Sequence, residues 1–109
     1  MAISALILDP QNDYEKNFFI PVATEEFFRE CWLPAIELLG LQWTDLFATG
    51  VDVEEEDVPH IIEELILIKV WAAKSLNEEQ KAKIFERIAG LQDKLPLAYQ
   101  RKDAVVFIG

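Results

Sequence analysis

Basic residues are scarce in this 109-residue chain: ten Lys plus Arg stand against twenty Asp plus Glu, for a formal net charge of −10. Affinity for DNA or RNA comes largely from cations that neutralise phosphates and release counterions, so this deficit excludes nucleic acid as a partner. Cys31 is the single cysteine, which rules out an intramolecular disulfide framework and any Cys pair at metal-binding spacing. The four glycines form no G-x-x-x-x-G-K, G-x-G-x-x-G or G-x-S-x-G run, so phosphate-cradling loops and nucleophile elbows lose their support. One histidine, His60, leaves imidazole chemistry a single candidate. No apolar run approaches the ~20 residues that a membrane-spanning helix needs. The short apolar stretch near the start has no basic segment before it, unlike a secretory signal. These absences predict a cytoplasmic protein with no cofactor, no bound metal, and neither a membrane nor a nucleic acid as partner.

What is present is apolar side chain, 51% of residues against 28% charged, which is ample for one core and one domain over residues 1–109. Ile3 to Leu8 reads as a buried strand closed by Asp9-Pro10. Phe18 to Val22 reads as a second strand, held to an edge by Pro21 and joined to the first in a loose hairpin. Thr24 is placed as the N-cap of a helix over about 25–39, with Gly40 as its stop and Pro34 as an internal kink. The apolar arc of that helix comprises Phe27, Phe28, Cys31, Trp32, Ala35, Ile36, Leu38 and Leu39. Residues 41–47 read equally as strand or loop, and Gly50 to Val53 as a small strand. Asp57 is the expected N-cap of a second helix reaching about Lys74. That helix is apolar on both sides, with Leu67, Val70 and Trp71 opposite Ile61, Leu65 and Ile68, a pattern expected of a central, covered helix. Asn77 and Gln80 form a capping box for a third, amphipathic helix, and Ala104 to Ile108 reads as a strand suited to pair with the first. The fold class is α+β, three helices packed on a small sheet formed by the N- and C-terminal strands and the hairpin.

His60 and Glu64 stand i, i+4 on one helix face, a spacing that suits two metal ligands or an acid–base pair. A catalytic zinc asks for further nitrogen or sulfur donors, and a structural or surface histidine is the simpler reading. Cys31 sits among Phe27, Phe28 and Trp32, where burial raises a thiol pKa and favours packing over nucleophilic work. The stronger signal is the distribution of charge. Residues 1–57 hold thirteen acids and two bases, whereas residues 58–109 hold seven acids and eight bases. Glu26, Glu30 and Glu37 fall within ~40° of one another on the first helix, opposite its apolar arc and with Leu33 among them. Glu54, Glu55, Glu56 and Asp57 follow in an unbroken run. Like charges so dense either form a solvated surface or await a basic partner. Leu33 ringed by carboxylates has the composition of a small binding hot spot, unless the Pro34 kink turns it inward.

The segments Phe19-Ile20-Pro21-Val22-Ala23-Thr24, Trp32-Leu33-Pro34, Leu39-Gly40-Leu41, Phe47-Ala48-Thr49-Gly50 and Glu63-Glu64-Leu65 resemble small acidic bacterial proteins. Some families of these are similar to immunity proteins of contact-dependent or polymorphic toxin systems. The resemblance covers residues 18–68, rests on no catalytic motif and transfers no site residue by position. It implies a cytoplasmic, non-enzymatic inhibitor that binds a toxin domain through charge and shape. The expected partner is therefore a basic protein, met by Glu26, Glu30, Leu33, Glu37, Glu54, Glu55, Glu56 and Asp57. The alternatives are a structural or adaptor protein that homodimerises through the apolar stripe of the second helix and, third, a small enzyme.

Overall fold

Four strands form an antiparallel sheet in the order β2-β1-β4-β3: β1 (Ala2–Ile7), β2 (Ile20–Thr24), β3 (Val51–Val53) and β4 (Val106–Ile108). The structure, a computed structural model, describes residues 2–109. β1 pairs with both β2 and β4, so the hairpin and the joining of the two chain ends are as the sequence predicts. Pro21 lies on an edge strand, next to a bulge where the register shifts between Ile3 and Ser4. An edge tolerates the missing N–H that a central ladder would not. One face of the sheet buries Ile3, Ala5, Ile7, Val53, Val106 and Ile108 under helices, while Leu6, Asp52 and Phe107, aligned across three strands, lie on the other.

The first long helical run starts where Thr24 predicts, its hydroxyl accepting the Phe27 N–H at 3.1 Å, and stops at Gly40, whose φ of +64° favours glycine. Between these ends the run is not uniform. α2 (Glu25–Phe27) passes into a π-helical turn at Phe28–Trp32 and then α3 (Leu33–Leu39). Pro34 lies just beyond this turn, with no N–H to give the Glu30 carbonyl and a ring that would strike it; the Leu33 N–H reaches back to the Phe28 carbonyl, one residue farther than in an α-helix, and the wider turn makes room for the ring. The wide turn also rotates the residues beyond it. Leu33 is half-buried and packs against the core rather than standing free among the glutamates. Leu38 and Leu39, expected in the core arc, are exposed instead, Leu38 by 71%.

A short helix, α1 (Asp13–Asn17), lies between the two strands of the hairpin, capped by the Asn12 side chain, which accepts from the Glu15 N–H. Residues Thr44–Ala48 form a 3-10 helix, neither strand nor open loop. Asp57 takes the expected N-cap position of the next helix, but its side chain makes no bond into it. A 3-10 turn (Glu55–Asp57) comes first, in which the Glu54 N–H donates to Asp57 Oδ2 at 3.0 Å, and α4 (Val58–Ser75) continues from it. α5 (Glu78–Lys94) opens with the Asn77/Gln80 capping box, leads into a 3-10 turn at Leu95–Ala98, and packs on β2 and α4. The core is one cluster drawn from the sheet and every long helix, with Cys31 and Trp32 at no solvent exposure. α4 is not covered on both sides. Ile61, Leu65, Ile68 and Ala72 are buried, but Ile66, Leu67 and Val70 are 48%, 45% and 54% exposed, and Trp71 is half-buried.

Candidate functional site: an acidic cleft at one end of the sheet

β3 ends at Val53, whose carbonyl accepts the Tyr99 hydroxyl at 2.7 Å, and the chain then turns sharply through Glu54 to Asp57. The Asp57 N–H donates back to the Glu54 carbonyl at 3.0 Å, so both ends of the turn are tied. Across from it runs the loop that feeds β4, fixed where the Leu8 N–H donates to the Val105 carbonyl at 2.9 Å. Between turn and loop lies a cleft of about 650 Å³ lined by Glu54, Glu55, Glu56, Lys102, Asp103, Ala104 and Val105. A second cleft of about 310 Å³ shares Asp103 and Val105 with the first and adds Asp9, Asp52 and Arg101 to its wall. Six carboxylates thus meet two cations around the pair of clefts.

One of those cations is already engaged. Arg101 Nε donates to both carboxylate oxygens of Glu15, at 3.1 and 2.9 Å, while its terminal nitrogens reach Asp103 Oδ1 at 3.0 Å and the Asp9 carbonyl at 3.3 Å. Glu15 is buried and also accepts the Gln11 N–H at 2.8 Å. The Arg101 hydrogen bond, then that backbone N–H, hold its carboxyl below the usual glutamate value. Lys102 remains as the cation of the main cleft, with no ion-pair partner within 4 Å among the described residues. The Tyr99 hydroxyl is pushed far up by burial, then by the negative charges of Asp57, Glu55 and Glu54, so it stays a donor to Val53.

The two acidic clusters of the sequence do not merge. Thr24, which opens the α2–α3 run, pairs with Ala2 at one end of the sheet, whereas Glu54 follows Val53 at the end where Ile7 and Val106 meet. Glu26, Glu30 and Glu37 are exposed on that separate run, and Leu33 lines a small pocket of about 220 Å³ with Ile3, Phe28 and Arg29. The cleft instead gathers Asp9, Asp52 and Asp103, which lie far apart in the chain. Their signal was present, because pairing β1 with β4 antiparallel sets the residues after Ile7 beside those before Val106. Glu15 and Tyr99 carried no such signal, since each depends on a contact made only in the folded chain.

The other candidates are spent on structure. Glu64 accepts the backbone N–H groups of Gln42, Trp43 and Thr44 at 3.3, 3.0 and 2.8 Å and the Thr44 hydroxyl at 2.8 Å, serving as the cap of the Thr44–Ala48 helix. The His60 ring stacks on Trp43, centroids 6.5 Å apart and planes 7° from parallel. Burial, then Glu30, raises the Cys31 thiol above its ordinary value, as core packing requires. No group of three or more His, Cys, Asp or Glu is placed to hold a metal among the described residues, and no helix there is long and apolar enough to cross a membrane. Compared with family models, curated proteins and solved structures, the chain matches none, and its site is read from its own chemistry. Carboxylates around an open cleft can accept charge-assisted hydrogen bonds from guanidinium or ammonium groups.

Proposed function

We propose that this protein is a non-enzymatic binding protein, an inhibitor of the immunity type, whose acidic cleft receives basic side chains of a partner protein domain. The observation that carries the reading is the surplus of carboxylates at the cleft: Glu54, Glu55 and Glu56 line it with Lys102 as its cation, and the Arg101 of the adjoining cleft is already engaged. Such a surplus opposes folding by self-repulsion, and a basic partner relieves it on binding. Glu54, Glu55, Glu56 and Asp57 form the contact, while Glu26, Glu30 and Glu37, farther off, add to the field that draws the partner in. Leu33 packs against the core and contributes to the helix that carries them rather than entering a pocket of the partner. Cys31, a free thiol inside the core, suits a reducing cytoplasm.

The test uses the whole chain and a variant in which Glu54, Glu55 and Glu56 are all Gln as baits in extracts of the cells that make it. The reading expects one basic protein bound by the wild type and lost by the variant. Its association rate should fall at least tenfold from low to physiological salt, as steering by exposed charges requires. A partner retained equally by both baits, or a rate indifferent to salt, overturns it.

A further inference from the structure

The exposed strip of α4 has its own charge pattern, independent of the acidic cleft. Glu63, Leu67, Val70 and Lys74 follow one another at spacings of four, three and four residues, the stripe that faces a partner helix in helix–helix packing. All four are exposed, and Ile66 widens the strip on one flank. Neither flank of α4 is free. Lys69 lies over the Phe85 ring of α5 at 5.6 Å, and on the other side Glu64 and His60 hold the 42–44 segment. The strip between them meets solvent alone, and neither Glu63 nor Lys74 has an ion-pair partner among the described residues.

We infer that α4 docks a second copy of this chain, the two helices antiparallel, with Leu67 facing Val70 of the other copy and Glu63 facing its Lys74. The register follows from the sequence of the strip. A two-fold axis between residues 68 and 69 sets 67 against 70 and 63 against 74 in the same operation, so every contact occurs twice. A closed two-fold interface demands this self-complementarity. A parallel pair would instead set Glu63 against Glu63 and Lys74 against Lys74, and like charges in register oppose association. The net charge of each copy also opposes association, but it resides in residues 1–57, and the half that contains the strip is close to neutral. A foreign partner would need no such internal symmetry.

Sedimentation equilibrium of the whole chain, with Glu63→Lys, Lys74→Glu and the double reversal, tests the inference. Both positions are exposed, and unchanged circular dichroism verifies that each variant folds. The wild type is expected to dimerise with concentration, each single reversal to raise the dissociation constant at least tenfold, and the double reversal to recover most of the loss. A wild type that stays monomeric at every attainable concentration overturns the inference, including the case in which another protein covers the strip. So does a dimer that ignores the single reversals, or one that the double reversal fails to recover.

Discussion

On the inner face of α4, Ile61, Leu65, Ile68 and Ala72 are closed off from solvent by the sheet-and-helix core, while half a turn away Ile66, Leu67 and Val70 stand in water. The carboxylates divide in the same way. Glu64, on the inner edge, accepts from the 42–44 backbone with both its oxygens, and its neighbour Glu63 on the outer face has no such partner among the described residues. The inner residues answer to packing, because no other arrangement hides them. The outer ones leave about half their surface open, and contiguous apolar surface left open on a water-exposed helix tends to mark a contact. Hydropathy alone could not separate the two faces, since both are built from the same aliphatic residue types.

The sharpest way to break this contrast is to truncate the inner face. Leu65→Ala is expected to cost about 2–5 kcal/mol, as for other fully buried leucines, because the cavity adds to the lost transfer energy. Urea denaturation checks it, and a cost under about 1 kcal/mol would mean that the inner face is looser than its burial implies.

Next in size is the buried carboxylate of α1. The Glu15 carboxyl is held below 4.5 by Arg101 and the Gln11 N–H, so it binds a proton less readily folded than unfolded. Its contribution to stability is therefore complete above the unfolded value and fades as pH falls through the depressed folded one. Glu15→Gln should lie well below the wild type in urea midpoint at neutral pH, and the gap should narrow as pH falls below the ordinary glutamate value and through the depressed folded one. A gap that keeps its size in acid would assign the loss to packing instead of charge.

A smaller loss is expected for Glu64→Ala, which strips the cap from the Thr44–Ala48 helix and leaves the buried Thr44 N–H and hydroxyl without their acceptor. An orphaned buried donor costs about 1–3 kcal/mol. Glu63→Ala, one residue away, should lie within about 0.5 kcal/mol of wild type in the monomer, as for ordinary surface changes. Equal losses at the two positions would erase the distinction between inner and outer carboxylates.

Elements whose cause is local were legible before the fold was known. Thr24, Gly40 and the Asn77/Gln80 pair act on backbone groups within a turn of themselves, and the hairpin and the pairing of the chain ends follow from short apolar runs of matching length. The Pro34 fault was legible as a kink, but its resolution as a π-helical turn, with the inward rotation of Leu33, depends on packing around Phe28 and Trp32. α1 was hidden because its five residues are mostly polar, although Asn12 followed by Glu15 is a capping signature of the kind seen at Asn77. Asp57 holds the N-cap position of α4 that its place before Val58 predicts, but its carboxylate turns back to the Glu54 N–H across the 3-10 turn, a choice that only the folded turn reveals. At the site, the run 54–57 was plain, whereas Asp9, Asp52 and Asp103 join it only through sheet pairing.

The smallest expected effect bears most directly on the outer face. Leu67→Ala removes a branched end that is already nearly half exposed. If α4 serves no packing role there, the unfolding free energy of the monomer should change by no more than about 0.5 kcal/mol. Unfolding must be followed at low micromolar concentration, since a dimer would add its own concentration-dependent stability and disguise a contact between copies as a contact within one. A loss above about 1.5 kcal/mol in the monomer would place Leu67 with the core residues and remove the case for treating the two faces differently. An unchanged stability leaves an exposed leucine and valine, bracketed by a glutamate and a lysine with no ion-pair partner among the described residues, that add nothing to the stability of the monomer. That surface then has to be explained by what it touches outside.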